Sequence, residues 1–286
     1  MIFFRQADGV SEDGMKTEQG ALPPIGSPSP LQIGEGAVSR AQPAGPWGFW
    51  ATVGLGAAVA VLYVVSQTVM LILFATGLAI AGKGEILSDP KALESNGLFL
   101  AVATCAAAPV GIGMTWLFAW LRKGVPVKDY LALNAVPART VFRWGVALLG
   151  LLLLSDVLTT LLGRPIVPEF MVDAYQTAGF VPFLWLAVIV AAPLMEEVFF
   201  RGFLLSGFSR SKLGVPGAIV LTAALWAAIH LQYDFYGIAT IFVFGLFLGY
   251  ARLRTGSIYT TILLHAVMNL GATIQVAALL RVLGDE

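Results

Sequence analysis

Long apolar segments follow one another along most of this chain, and they constrain its fold more than any other feature. A helix needs roughly 20 residues to cross the hydrocarbon core of a bilayer at a rise of 1.5 Å per residue. The pattern predicts an all-α fold, a polytopic transmembrane helical bundle of about seven spans, of which the sixth is short. The spans lie near residues 48–82, 97–121, 140–163, 181–204, 215–231, 237–251 and 258–281.

Composition supports the same class of protein. Apolar residues make up 58% of the chain and charged residues 12%, which is about half the charged share of a soluble domain. The net charge of zero gives no reason to expect a nucleic-acid partner. Cys105 is the single cysteine, so an intramolecular disulfide is impossible.

The first 46 residues differ from the rest of the chain. Six prolines are interleaved there with Gly, Ser and Ala, and no apolar period is sustained. Such a segment buries too little apolar surface to offset the entropy lost on ordering. We predict a disordered cytoplasmic tail over residues 1–46 and one transmembrane domain over residues 47–286.

Basic residues are distributed unequally between the two sides of the predicted bundle. Such an asymmetry indicates the cytoplasmic side of a membrane protein. We predict a multi-pass protein of the plasma (inner) membrane with a cytoplasmic N-terminus. Lys83, Lys91, Arg164 and Arg281 fall on the outer side, and the inner side collects Arg5, Lys16, Arg40, Arg122, Lys123, Lys128, Arg139, Arg143, Arg210, Lys212, Arg252 and Arg254.

Ionisable residues occur inside the predicted spans in three short runs. These runs are EEVFFR at 196–201, WAAIH at 226–230 and HAVMN at 265–269, and they contain both histidines of the chain. Ionisable groups at bilayer depth cost at least a few kcal/mol each, so they commonly mark a functional site. We therefore expect the three runs to meet in one buried site.

Helix geometry predicts how the residues of the first run divide. Glu197 and Arg201 are four residues apart, so they share a face and can form an ion pair. Glu196 is rotated by about 100° from Glu197 and points elsewhere. Glu196 is then free to face a polar cavity and to act as a general base.

The other two runs supply groups suited to hydrolysis by water. His265 and Asn269 are four residues apart and present two donors that can stabilise an oxyanion. His230 can position the water from which Glu196 takes a proton. The chain has no Gly-x-Ser-x-Gly elbow, and Cys105 has no polar neighbours in sequence, so a covalent nucleophile is less attractive.

Together the three runs resemble the motifs of the type II CAAX prenyl endopeptidases, also called the CAAX protease and bacteriocin-processing (CPBP) family. The resemblance covers roughly residues 185–280, within a motif-bearing core of about 181–281. Three motifs in order, each on a separate predicted span, form a strong signature. The resemblance implies an all-helical intramembrane endopeptidase that depends on a glutamate.

The family pattern carries over to this chain residue by residue. It implies that Glu196 and His230 activate water and that His265 and Asn269 form the oxyanion hole. Glu197 and Arg201 match its supporting residues. Trp226 stands where the family often has Phe and keeps an aromatic wall beside the site.

Two other functions remain open on the sequence. One is a non-proteolytic immunity or scaffold protein of the same family, and the other is a transporter whose polar residues form a proton or cation path. No cofactor is required, although two glutamates and two histidines have the ligand chemistry of zinc without the HExxH spacing of a helical zinc protease. The expected partners are a membrane-associated peptide or protein substrate and the bilayer, with no nucleic acid.

Overall fold

The computed structural model of the chain describes residues 45–84 and 88–284. The predicted tail over residues 1–46 lies outside this part, apart from Gly45 and Pro46. Within the described ranges the chain forms helices and no strand. We number the helices α1 (Phe49–Ile80), α2 (Pro90–Glu94), α3 (Gly97–Trp120), α4 (Val127–Leu131), α5 (Ala138–Leu161), α6 (Glu169–Gln176), α7 (Val181–Ser209), α8 (Gly214–Ala228), α9 (Phe235–Thr255) and α10 (Ile258–Gly284).

Six of these helices are long and apolar enough to cross a membrane, namely α1, α3, α5, α7, α9 and α10. The predicted fold class, an all-α bundle of about seven spans, is confirmed. The short span is α8, with 15 residues, rather than the sixth span as the sequence predicts. The helix of the sixth span is longer because Asp234 caps its start by accepting from the Gly237 N–H at 2.9 Å, and Gly256 ends it with φ 65°.

His230 lies just beyond α8, and its predicted place inside a span is wrong. The helix ends at Ala228, and the His230 N–H bonds the Ala227 carbonyl at 3.1 Å as the chain turns. The chain has to reverse within residues 229–234 because α9 begins at Phe235.

Helix α7 is interrupted by two π-helical segments, Leu186–Ala191 and Glu197–Leu204. In a π-helix each carbonyl accepts from the N–H five residues later. For Val188 that residue is Pro193, which has no N–H. The Val188 carbonyl is therefore free to accept a hydrogen bond from another helix.

The centre of the bundle is α7, in which 44% of an 18-residue apolar stretch is buried inside the protein, whereas the corresponding share is 6% in α1 and in α5. Glycines bring α9 against α8. A Cβ atom on Gly245 would lie 3.0 Å from the Ala223 Cβ, and one on Gly249 would lie 2.9 Å from the Ile219 Cγ2. A Cβ atom on Gly245 would also lie 3.1 Å from the Trp226 Cε3, so α9 packs closely against the end of α8 that carries the second motif.

The peripheral helix α5 is tied to its neighbours by polar side chains. Gln275 on α10 donates to the Asp156 carboxylate at 2.8 Å, and the Thr159 and Tyr236 hydroxyls are 2.7 Å apart. Polar groups at membrane depth need such partners because lipid offers none. Asp156 therefore has a structural role outside the three motif runs.

Candidate active site

Trp226 lies at the centre of the polar side chains inside the bundle. Its Nε1 donates to the Glu196 Oε2 at 2.5 Å, and the ring is 1% exposed. The rings of His230 and His265 each lie 5.2 Å from the Trp226 ring in edge-to-face contact, and the Arg201 Cζ lies 4.4 Å from its centroid. Trp226 therefore forms the expected aromatic wall and also holds Glu196, which the sequence did not predict.

Glu197 and Arg201 form the predicted ion pair, with 2.9 Å between Arg201 Nη1 and Glu197 Oε1. Both side chains are fully buried. The same Oε1 atom accepts from His265 Nδ1 at 3.0 Å, and Arg201 Nη2 reaches the Gly245 carbonyl at 3.4 Å. Buried charges are tolerated when they are paired in this way, so these contacts fix α7 against α9 and α10.

His265 links the two neighbouring glutamates. Its Nδ1 donates to Glu197, since a carboxylate in an ion pair can only accept, and its Nε2 lies 4.0 Å from the Glu196 Oε2. Glu196 and Glu197 point in different directions from α7, as helix geometry predicts, and His265 lies between them. The two ring nitrogens lie on different edges of the imidazole, so one ring reaches two carboxylates that are rotated from each other on α7.

His230 is held by the backbone of the helix that precedes it. Its Nδ1 lies 2.7 Å from the Trp226 carbonyl. A carbonyl oxygen only accepts, so Nδ1 carries the proton, and Nε2 of the neutral ring is left as an acceptor. His230 is half-buried, and it joins the site through Trp226.

Asn269 contacts α7 one turn beyond His265 on α10. Its Nδ2 donates to the Val188 carbonyl at 2.7 Å, the carbonyl that Pro193 leaves without a backbone partner. This bond fixes the orientation of the amide group and leaves its second N–H available. His265 and Asn269 thus share a face of α10, as predicted, and both of them contact α7.

Two tyrosines that the sequence analysis did not single out lie near Glu196. Burial, together with the Glu196 carboxylate, raises the pKa of Tyr233 to about 12. Tyr63 of α1 is also within electrostatic reach of Glu196. In the sequence, the one signal that Tyr233 belongs near the site is its position three residues after His230.

Exposure distinguishes the two glutamates. The Glu196 side chain is 15% exposed, and that of Glu197 is 0% exposed. Glu196 is therefore the more accessible of the two carboxylates, and Glu197 is enclosed by protein. Within residues 45–84 and 88–284, no three His, Cys, Asp or Glu side chains form a group that could hold a metal ion.

This geometry defines a helical integral membrane protein with a buried polar site on α7, α8 and α10. Residues 178–271 match the family model of the type II CAAX prenyl endopeptidase Rce1-like proteins. The resemblance carried by the three motifs is confirmed over that part of the chain.

One similar protein comes from Escherichia coli and is named only as an uncharacterized 24.3 kDa protein. It is 37% identical over 82 residues, which make up 28% of this chain and 38% of that protein. The chain therefore covers 38% of the length of this curated relative. No solved structure matches the chain.

Proposed function

We propose that the chain is an intramembrane endopeptidase that hydrolyses a peptide bond of a membrane-associated peptide or protein substrate. The observation that carries the proposal is the position of Glu196. Its side chain is 15% exposed, and its carboxylate accepts from the Trp226 indole at 2.5 Å and lies 4.0 Å from His265 Nε2. A carboxylate fixed in this way beside His265, with His230 on the same Trp226 ring, suits general-base activation of water.

The first step is attack by water on the scissile carbonyl. The Glu196 Oε2 already accepts a hydrogen bond from Trp226 Nε1, so Oε1 is the oxygen that takes a proton from the water. The free Nε2 of His230 accepts a hydrogen bond from the second O–H of the same water. The water oxygen bonds to the carbonyl carbon, and the electron pair of the C=O bond moves to the carbonyl oxygen.

The second step is collapse of the tetrahedral intermediate. The remaining amide N–H of Asn269 donates to the oxyanion, and His265 Nε2 donates as well when both ring nitrogens carry a proton. One such donor contributes a factor of about 10²–10³ in rate. The C–N bond then breaks, and Glu196 returns its proton to the leaving amine.

Glu197 and Arg201 support this chemistry without contacting the substrate. Glu197 holds His265 at 3.0 Å, and Arg201 packs against the Trp226 ring. Their contacts orient the two side chains that flank Glu196. In this proposal they are positioning residues.

The proposal includes an orientation in the membrane. The twelve basic residues on one side and four on the other support a cytoplasmic N-terminus in the plasma (inner) membrane. Reporter fusions at the two ends of α3 provide the test. A reporter active on the outer side after Trp120 would contradict this orientation.

Substrates can be found by comparing the membrane proteomes of cells that produce the wild type and cells that produce Glu196→Ala. We expect shortened membrane-associated peptides or proteins only with the wild type. Glu94→Ala, which changes a carboxylate on α2, is the matched control and should preserve the processing. Identical proteomes for wild type and Glu196→Ala would contradict the proposal.

Partner binding that survives in Glu196→Ala would favour a scaffold, and substrate flux in proteoliposomes would favour a transporter.

A further inference from the structure

The turn that joins α8 to α9 is held in place at both of its ends. At the start of the turn, His230 Nδ1 donates to the Trp226 carbonyl at 2.7 Å. At its end, the Asp234 carboxylate accepts from the Gly237 N–H at 2.9 Å and forms an ion pair with the Arg164 guanidinium. The side chains between these two points therefore have defined positions.

Tyr233 lies in this turn and packs its ring against other aromatic side chains. Its N–H donates to the His230 carbonyl at 3.1 Å, and its ring centroid lies 6.3 Å from that of His230. The ring of Phe170 on α6 lies 6.1 Å away in edge-to-face contact. By contrast, Leu231 and Phe235 are 78% and 87% exposed. Tyr233 is thus a neighbour of His230 in space as well as in sequence.

The Tyr233 hydroxyl has a hydrogen-bonding capacity that the fold does not use. It makes no hydrogen bond with any part of the chain that the structure describes. Tyr236 offers the contrast, because its hydroxyl lies 2.7 Å from that of Thr159. Tyr233 is only half-buried, and its oxygen is not one of the fully enclosed polar atoms that lack a partner. A molecule that enters the site can therefore accept a hydrogen bond from this hydroxyl.

The charge of Glu196 acts on Tyr233. Burial, together with that carboxylate, raises the pKa of Tyr233 to about 12. The hydroxyl therefore keeps its proton well above neutral pH and can act as a donor. A donor is the group that a peptide carbonyl needs, since a carbonyl oxygen only accepts.

We propose that the Tyr233 hydroxyl donates a hydrogen bond to a main-chain carbonyl of the peptide substrate next to the scissile bond. This role rests on the proposed endopeptidase function. The two oxyanion donors, His265 and Asn269, lie on α10, whereas Tyr233 lies in the turn beside His230. Tyr233 therefore holds a carbonyl that does not react, and its hydrogen bond is equally strong in the ground state and in the transition state. Loss of such a bond raises KM and leaves kcat unchanged.

Tyr233→Phe, which removes only the hydroxyl, tests this role in the full chain in nanodiscs. The substrate is a synthetic peptide that spans a cleavage site found by the proteome comparison. We expect KM to rise about 2- to 10-fold because a hydrogen bond between neutral groups is lost, and kcat to stay within about twofold. The melting temperature should not change, since the fold does not use this hydroxyl.

Binding without cleavage separates the role of Tyr233 from the proposed function. In a Glu196→Gln background, Tyr233→Phe should weaken binding of the same peptide by about 2- to 10-fold, measured by the fluorescence anisotropy of a labelled peptide. If Glu196→Gln alone cleaves the peptide at the wild-type rate, the proposed function fails. The binding measurement still decides the role of Tyr233 in that case.

Tyr236→Phe is the matched control, because it removes the hydroxyl that contacts Thr159. It should lower the melting temperature and leave KM unchanged. The proposal for Tyr233 is overturned if Tyr233→Phe binds and cleaves the peptide as the wild type does. It is also overturned if kcat falls while KM is unchanged, which would place the hydroxyl on the reacting atoms. A melting temperature of Tyr233→Phe as low as that of Tyr236→Phe would overturn it as well, because it would indicate a partner within the protein.

Discussion

The polar centre of this protein has two halves that differ in how far the protein encloses their side chains. The closed half consists of Glu197, Arg201 and His265, which are 0%, 0% and 3% exposed and are bonded to one another. The open half consists of Glu196, with a side chain 15% exposed, and the half-buried His230. Two glutamates that are adjacent in sequence therefore have different surroundings, and we assign structure to the closed half and chemistry to the open half.

The largest expected effect comes from breaking the closed half. Glu197→Ala removes the partner of Arg201 and leaves its charge buried and unpaired, which costs about 3–5 kcal/mol of stability. Thermal unfolding in detergent or nanodiscs measures the loss. Glu196→Ala is the control and should lose less, because it removes the acceptor of Trp226 and leaves no buried charge unpaired. Equal losses for the two variants would show that the halves do not differ in this way.

Trp226→Phe sharpens the comparison at the boundary between the halves. The substitution keeps an aromatic ring and removes the donor to Glu196. A hydrogen bond to a charged group contributes about 1.5–3 kcal/mol, so cleavage should fall roughly 10- to 100-fold. Kinetics on a substrate identified by proteomics provide the measurement.

Benzothienylalanine at position 226 separates the loss of the N–H from the loss of ring size. This residue has nearly the shape of Trp and lacks the N–H. We expect the protein with benzothienylalanine at position 226 to cleave its substrate as slowly as Trp226→Phe does. If that protein cleaves at the wild-type rate, the hydrogen bond from the Trp226 N–H to Glu196 does not contribute to the cleavage rate.

Gly245→Ala tests the close packing that supports both halves. The new Cβ would lie 3.0 Å from the Ala223 Cβ and 3.1 Å from the Trp226 Cε3. Overpacking of this kind costs about 1–3 kcal/mol, which a thermal unfolding series would detect. Gly271→Ala on α10 is the matched control, because no atom outside its own helix turn lies within 4 Å of the new Cβ, and it should not destabilise the protein.

The smallest expected effect lies outside both halves, at Asp234. The Gly237 N–H and the Arg164 guanidinium lower the pKa of Asp234 below its ordinary value of 3.8. A carboxyl group with a lowered folded-state pKa stabilises the fold above that ordinary value and loses the contribution as the pH falls through the folded-state pKa. The melting temperature of the wild type should therefore drop slightly below pH 3.8 relative to Asp234→Asn. A parallel fall in both proteins would contradict this contribution.

The sequence predicts the helices better than it predicts the contacts of the site. Runs of apolar residues locate the spans because helix length follows directly from bilayer thickness. The end of α8 is less predictable, since the apolar Ala227 to Leu231 region continues past the last helical residue, Ala228. For this reason the sequence predicts His230 inside a span, although His230 lies in the turn that follows α8.

Spacing along the helix predicts the Glu197–Arg201 pair because both residues belong to one helix. Contacts between helices are not encoded in such spacing. The bridge from His265 to both glutamates and the bond from Trp226 to Glu196 depend on how α7, α8 and α10 pack. Pro193 offered one overlooked signal, because a proline inside a helix leaves a carbonyl free for a side chain such as that of Asn269.

The most direct measurement compares wild type and Glu196→Gln, purified in nanodiscs, on the same membrane-associated substrate. Glutamine keeps the size of the side chain and removes the base, so cleavage should fall by a factor of at least about 10², while the melting temperature stays close to that of the wild type. A folded Glu196→Gln protein that cleaves at the wild-type rate would contradict the assignment of Glu196 as the group that activates water.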